Sequence, residues 1–76
     1  MFDLVKAAEI SVLQAKVVQQ EPRLQPYFEY GFGSVSASIK NSKGHVLMNL
    51  YVSEDTENAQ REIDHYHQKL LLMLMP

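Results

Sequence analysis

Between positions 34 and 39 the chain reads Ser34-Val35-Ser36-Ala37-Ser38-Ile39, a strict alternation of small polar with apolar residues. Successive side chains of a strand point to opposite faces, so this period of two specifies a strand with one face in a core and the other toward water. Val46-Leu47-Met48-Asn49-Leu50-Tyr51-Val52 alternates more weakly around Asn49. Asn41-Ser42-Lys43-Gly44 lies between the two runs, with glycine where a four-residue loop or bulge needs positive φ. The runs predict an antiparallel hairpin. Pairing Lys40 with His45 puts Ile39 opposite Val46, Ala37 opposite Met48 and Val35 opposite Leu50, all on one face. Ser34, Ser36, Ser38, Leu47, Asn49 and Tyr51 share the other face. Upstream, Phe28, Tyr30 and Phe32 have the opposite parity to Val35, Ala37 and Ile39. A strand running through Gly31 and Gly33 therefore needs a bulge or kink to bury both sets.

A helix is expected on each side of the hairpin. From Leu4 to about Gln20 the pattern is helical, with Asp3 a suitable N-cap and no glycine or proline until Pro22. At about 100° per residue its apolar positions form two stripes. Leu4, Val5, Ala8, Val12, Ala15 and Val18 make the broader one; Phe2, Ile10, Leu13 and Val17 make the other. A helix with two apolar stripes touches two things: its own hairpin, and either a second subunit or the C-terminal helix. Gln19 to Pro26 reads as a linker in which two prolines stop the helix and favour an extended path. The second helix is expected to start near Ser53-Glu54-Asp55-Thr56-Glu57, where acids suit the positive end of the dipole. Its stripe is Ala59, Ile63, Tyr66, Leu70, Met73 and Leu74, with Glu57 and Arg61 spaced as an i,i+4 pair. Leu71, Leu72 and Met75, within the apolar end Leu70–Pro76, point away from that stripe.

The resulting expectation is a single α+β domain over 1–76, in the order α-β-β-α, with a two-stranded antiparallel sheet packed on two helices. A domain of this size buries only roughly 60% of the surface its unfolded chain exposes. The 76 residues include no cysteine, which removes disulfides and thiolate zinc sites. Oligomerisation is the remaining inexpensive support. Two hairpins paired edge to edge would give a four-stranded sheet backed by four helices, so a homodimer is expected. Its interface residues are taken as Ile10, Leu13 and Val17 with Leu71, Leu72 and Met75.

The parts needed for chemistry are sparse. Seven basic and nine acidic residues give a net charge of −2, and the basic ones are scattered rather than laid in a phosphate-tracking stripe. Tyr30-Gly31-Phe32-Gly33-Ser34-Val35 resembles part of the RNA-recognition-motif signature. The basic position is Tyr30, however, and the later aromatic positions are Ser34 and Ala37, so the base-stacking residues are missing. His65 and His67 flank Tyr66 beside Asp64, but residues two apart on a helix point about 200° from one another and cannot share one ion. The acids Glu54, Asp55, Glu57, Glu62 and Asp64 spread around the second helix, and no nucleophile triad or phosphate loop is present. The expectation is a non-enzymatic protein-binding module, an adaptor, regulator or inhibitor, without cofactor or metal. The alternatives are a nucleic-acid-associated regulator using Lys40, Lys43 and His45 at the hairpin tip with Arg23, or a small acidic inhibitor of a nucleic-acid-binding complex. The N-terminus carries Asp3 where a secretory leader would be positive, and no apolar run reaches the ~20 residues of a membrane span, so a cytoplasmic location is expected.

Overall fold

Asp3 starts the folded chain, its carboxylate accepting from the amides of Val5 and Lys6 at 3.0 and 3.2 Å. This is an N-cap, satisfying donors that the first turn of α1 (Leu4–Gln20) would otherwise leave open. The computed structural model describes residues 3–75; Phe2 of the first helix's second stripe and Pro76 of the apolar end lie outside them. After α1 come β1 (Gln25–Gly31), β2 (Ser34–Lys40), β3 (Val46–Ser53) and α2 (Ala59–Leu74). The strands form one antiparallel sheet in the order β1-β2-β3.

The sheet thus has three strands, not two, and the additional one comes from this same chain. Gln25 and Pro26 belong to β1 rather than to a linker. The cause is a two-residue turn: Phe32 and Gly33 have φ of 54° and 74°, and Gly31 pairs with Ser34 across them. Positive φ at both central residues is the hairpin turn whose twist matches its flanking strands. Chain reversal at Phe32-Gly33, not a bulge within one strand, resolves the parity conflict. Across the antiparallel pair Phe28 faces Ala37 and Tyr30 faces Val35, which puts both aromatics on the core side. The amide of Glu54, just beyond β3, donates to the Gly33 carbonyl at 2.8 Å and ties this turn to the far side of the sheet.

The β2–β3 hairpin is present with a register different from the expected one. Ile39 pairs with Met48, Ala37 with Leu50 and Val35 with Val52. That is a slip of two residues, and a slip of two keeps every side chain on its face, so the face test is blind to it. Val46 is exchanged for Val52 in the core and is exposed. The slip lengthens the loop to Asn41–His45, where the Asn41 carboxamide oxygen accepts from the amides of Lys43 and His45, both at 2.9 Å. An irregularity between Ile39 and Lys40 absorbs the mismatch.

Both helices cover the face carrying Val35, Ala37, Ile39, Met48, Leu50 and Val52. They lie side by side and parallel, as their contacts advance together: the Asp3 amide donates to Gln60, Lys6 meets Asp64 at 3.3 Å, and Glu9 meets His67 at 3.1 Å. The core stripe of α1 is Ala7, Ile10, Leu13, Gln14 and Val17. Its broader stripe faces outward, with Leu4, Val5 and Val12 exposed. In α2, Ala59, Ile63, Tyr66 and Leu70 are buried and Leu74 is half-buried, while Met73 is exposed. Residues 53–58 form a turn in which Thr56 Oγ1 accepts from the Ser53 amide at 3.4 Å. Helix α2 begins only after it, so Glu57 precedes the helix and the i,i+4 spacing with Arg61 does not operate.

One polar side chain sits in this core. Gln14 is 2% exposed, and its Nε2 donates to the Ser38 carbonyl at 3.2 Å and to the Tyr66 hydroxyl at 3.0 Å. It joins α1, the central strand and α2 at a single point.

Candidate functional site

The residues singled out from sequence fall into three places. Ile10, Leu13 and Val17 are buried inside the chain, so they are core rather than contact surface: burial against the sheet has already removed them from reach. Leu71, Leu72 and Met75 are exposed near the end of α2, Leu72 by 57% and Met75 by 65%. Arg23, Lys40, Lys43 and His45 are all exposed. The structure brings these four to one end of the sheet, since Gln25 pairs with Lys40 and the Asn41–His45 loop follows directly.

The two edges of the sheet differ sharply in chemistry. The outer edge of β1 carries Pro26, which has no N–H to offer, and the charged Glu29, whose carboxylate accepts from the Tyr27 hydroxyl. Proline and charge are the devices by which edge strands resist pairing with other chains. Strand β3 has neither: its eight residues, VLMNLYVS, include no charge and no proline. Among the described residues nothing pairs with its outer edge. Alternate N–H and C=O groups of β3 therefore face outward without a strand partner.

Beside this edge runs a groove of about 480 Å³ between β3 and α2. Met48, Leu50 and Tyr66 supply its apolar floor, and Arg61, His65 and Lys69 line the helical side together with Glu62. Arg61, His65 and Lys69 recur every fourth residue, so they form one row along a flank of α2. Among the described residues Lys6 forms an ion pair with Asp64 and the His67 ring meets the Glu9 carboxylate, and neither contact uses Arg61 or Lys69. His65 and His67 are thus separated in role, one lining the groove and the other binding α1. The groove was hidden from sequence reading because its charged row looks like an ordinary solvated helix face. Its meaning depends on which strand lies next to it.

Three side chains have pKa values displaced by their surroundings, Asp64, Tyr27 and Tyr66. The Gln60 hydrogen bond, with Lys6 nearby, holds the Asp64 carboxyl below the usual carboxylate range. The hydrogen bond to Glu29 raises the Tyr27 phenol, and burial raises that of Tyr66 against the opposing bond from Gln14. All three move away from neutrality. Among the described residues no three histidine, aspartate or glutamate side chains gather to hold a metal, and no helix is long and apolar enough to cross a membrane.

The architecture is a two-layer α+β unit, with parallel helices on one face of a three-stranded meander and a groove at its open edge. Comparison with protein families, with curated proteins and with solved structures finds no match to this chain.

Proposed function

We propose that this chain is a small, non-enzymatic protein-binding module that recognises its partner at the outer edge of β3. The observation that carries this reading is the asymmetry of the edges: β1 is guarded by Pro26 and Glu29, whereas β3 offers eight uncharged, proline-free residues. An unguarded edge of that length invites strand addition, in which backbone hydrogen bonds give affinity and the neighbouring groove gives selectivity. The test is photo-crosslinking in extract from the native source, with a photoreactive phenylalanine analogue at Tyr51 on β3 or at Tyr27 on β1. Both tyrosines are exposed and both lie on the sheet face opposite the helices. The reading expects a protein adduct from position 51 and not from 27. Equal adducts from both positions, or none from 51, would refute it.

The module works as a homodimer in this proposal, closed through the outer surface of the helix layer. Val5, Val12, Leu72 and Met75 are each more than half exposed there, an apolar content that suits a second copy. Light scattering should give twice the 8.7 kDa chain mass, falling to that of one chain in Leu72→Glu. A wild-type mass of one chain at micromolar concentration would remove the dimer while leaving the edge reading intact.

One observation favours a second reading, the gathering of Arg23, Lys40, Lys43 and His45 at one end of the sheet. As a nucleic-acid contact it predicts salt-dependent retention on DNA or RNA that weakens in Lys40→Ala/Lys43→Ala. Three lysine and arginine side chains can neutralise few phosphates, which makes this the weaker reading on a chain of net charge −2.

A further inference from the structure

The charges along the groove have a spacing that an extended strand can match. Arg61 and Lys69 are eight residues apart on α2, which at 1.5 Å per residue is about 12 Å of helix axis. Side chains on one face of a strand recur every second residue, so positions i and i+4 are about 14 Å apart. A strand laid along β3 would therefore present positions i and i+4 to Arg61 and Lys69. Position i+2, between them, would lie over the apolar floor of Leu50 and Tyr66. Glu62 lines the same side of the groove, but Arg61 and Lys69 together leave that side positive.

Charge also decides between occupants. Two copies joined antiparallel through β3 would bring their α2 rows together across the two-fold axis, with Arg61 toward the second copy's Lys69 and Lys69 toward its Arg61. Like charges placed this way oppose the pairing. An acidic segment meets the same row favourably, and Arg61 and Lys69 have no carboxylate partner among the described residues that it would need to displace.

The geometry points to an extended segment of a partner protein, with carboxylates at positions i and i+4 and an apolar residue at i+2, added to β3 as a fourth strand. This rests on the protein-binding reading above and specifies the partner's chemistry. Arg61 and Lys69 hold the two carboxylates, and the β3 backbone holds the strand.

The experiment uses three capped, fluorescein-labelled peptides on the full chain: Ser-Glu-Thr-Val-Thr-Glu-Ser, its Lys/Lys counterpart and its Ser/Ser counterpart. Anisotropy at low salt reads affinity, and amide hydrogen exchange reads protection of β3. The Glu/Glu peptide should bind at least tenfold more tightly than the other two and should slow exchange in Val46–Ser53. In Arg61→Glu/Lys69→Glu, both exposed positions on a helix, the preference should invert toward the Lys/Lys peptide. N-methylation of alternate peptide amides should abolish binding when it falls on the amides facing β3 and spare it when it falls on the other set. If the Lys/Lys or Ser/Ser peptide protects β3 as well as the Glu/Glu peptide does, the acidic specification fails while the edge reading stands. If none of the peptides protects β3, both fail. A wild-type dimer that the Glu/Glu peptide converts to monomers would assign the edge to a second copy and overturn the proposal.

Discussion

Replacing Gln14 by methionine should cost about 2–3 kcal/mol of stability, a value built from two lost hydrogen bonds worth about 1 kcal/mol each net and a further penalty for groups left unmet. Methionine keeps the length and approximate volume of glutamine, so the core remains filled and the change isolates the polar contacts. Gln14 donates both to the Ser38 carbonyl and to the hydroxyl of Tyr66, which is only 3% exposed. The hydroxyl is left buried without its donor when Gln14 is removed. Removing the hydroxyl instead, in Tyr66→Phe, leaves the Gln14–Ser38 bond in place and should cost only about 1 kcal/mol. In the double variant no hydroxyl remains to be stranded, so the combined loss should fall short of the sum by about 1 kcal/mol.

Urea unfolding followed by circular dichroism measures all three. A domain of this size has a stability of roughly 4–11 kcal/mol and a urea slope near 1 kcal/mol/M, so Gln14→Met should lower the midpoint by about 2–3 M without changing the slope. A second readout is independent of stability. The Gln14 bond favours the phenolate of Tyr66 and so opposes the upward push of burial. Losing it should raise the Tyr66 pKa further, seen as a later rise of phenolate absorbance with pH. Losses that simply add, within about 0.5 kcal/mol, or a Gln14→Met variant as stable as wild type, would show that the network is not a coupled unit. Tyr66 is also part of the groove floor, so a loosened Tyr66 carries the defect from the core to the binding surface.

The hairpin turn and the helix pair yield three further expectations. Phe32 is fully exposed with φ of 54°, so Phe32→Asn should stabilise the chain by about 0.5–1 kcal/mol, since asparagine tolerates that region; a loss of stability in urea would mean that the ring makes a contact worth more than the strain. Gly33→Ala should destabilise by about 1–2 kcal/mol, because φ there is 74° and an added Cβ would sit 3.3 Å from Glu54 Oε2; an unchanged midpoint would refute this. Asp64 titrates below its ordinary value of 3.8 in the folded chain, so its contribution is present above that pH and is lost as pH falls through the lower folded value. Asp64→Asn should flatten the acid limb of the stability–pH curve, and an unaltered limb would show that Gln60 and Lys6 do not hold the carboxylate.

The elements that were legible in the sequence are those whose pattern is local. Asp3 as N-cap, the end of α1 near Gln20, the alternation of β2 and the core stripe from Ala59 to Leu70 all follow from spacing and side-chain type. Two features were not local. The choice between the stripes of α1 depends on which one meets the sheet, and the helix's own residues do not contain that information. The register of β2 on β3 depends on how many residues the loop consumes. Asn41 bonding forward to both Lys43 and His45 sets that number, and a two-residue slip changes no face.

The candidate site was hidden for a related reason, which bears on how such surfaces are to be recognised. Whether a strand lies at an edge is decided by its neighbours. With residues 28–32 read as an upstream continuation of β2 through a bulge, both sides of the hairpin look open, and pairing of two copies through either looks sufficient. Once Phe32-Gly33 reverses the chain, β1 occupies the outer side of β2 and brings Pro26 and Glu29 to the new edge. Only β3 is then left open, and only then does the row Arg61, His65, Lys69 acquire a strand to lie beside. The same residues that guard one edge thus direct any added strand to the other, where the floor is apolar and the helical side is cationic. A β1 edge relieved of its proline and its charge, as in Pro26→Val/Glu29→Thr, should begin to compete as a second site. Peptide binding in that variant should rise toward two equivalents per chain, or the chain should self-associate through β1. A stoichiometry and mass unchanged from wild type would mean that something other than edge chemistry selects β3.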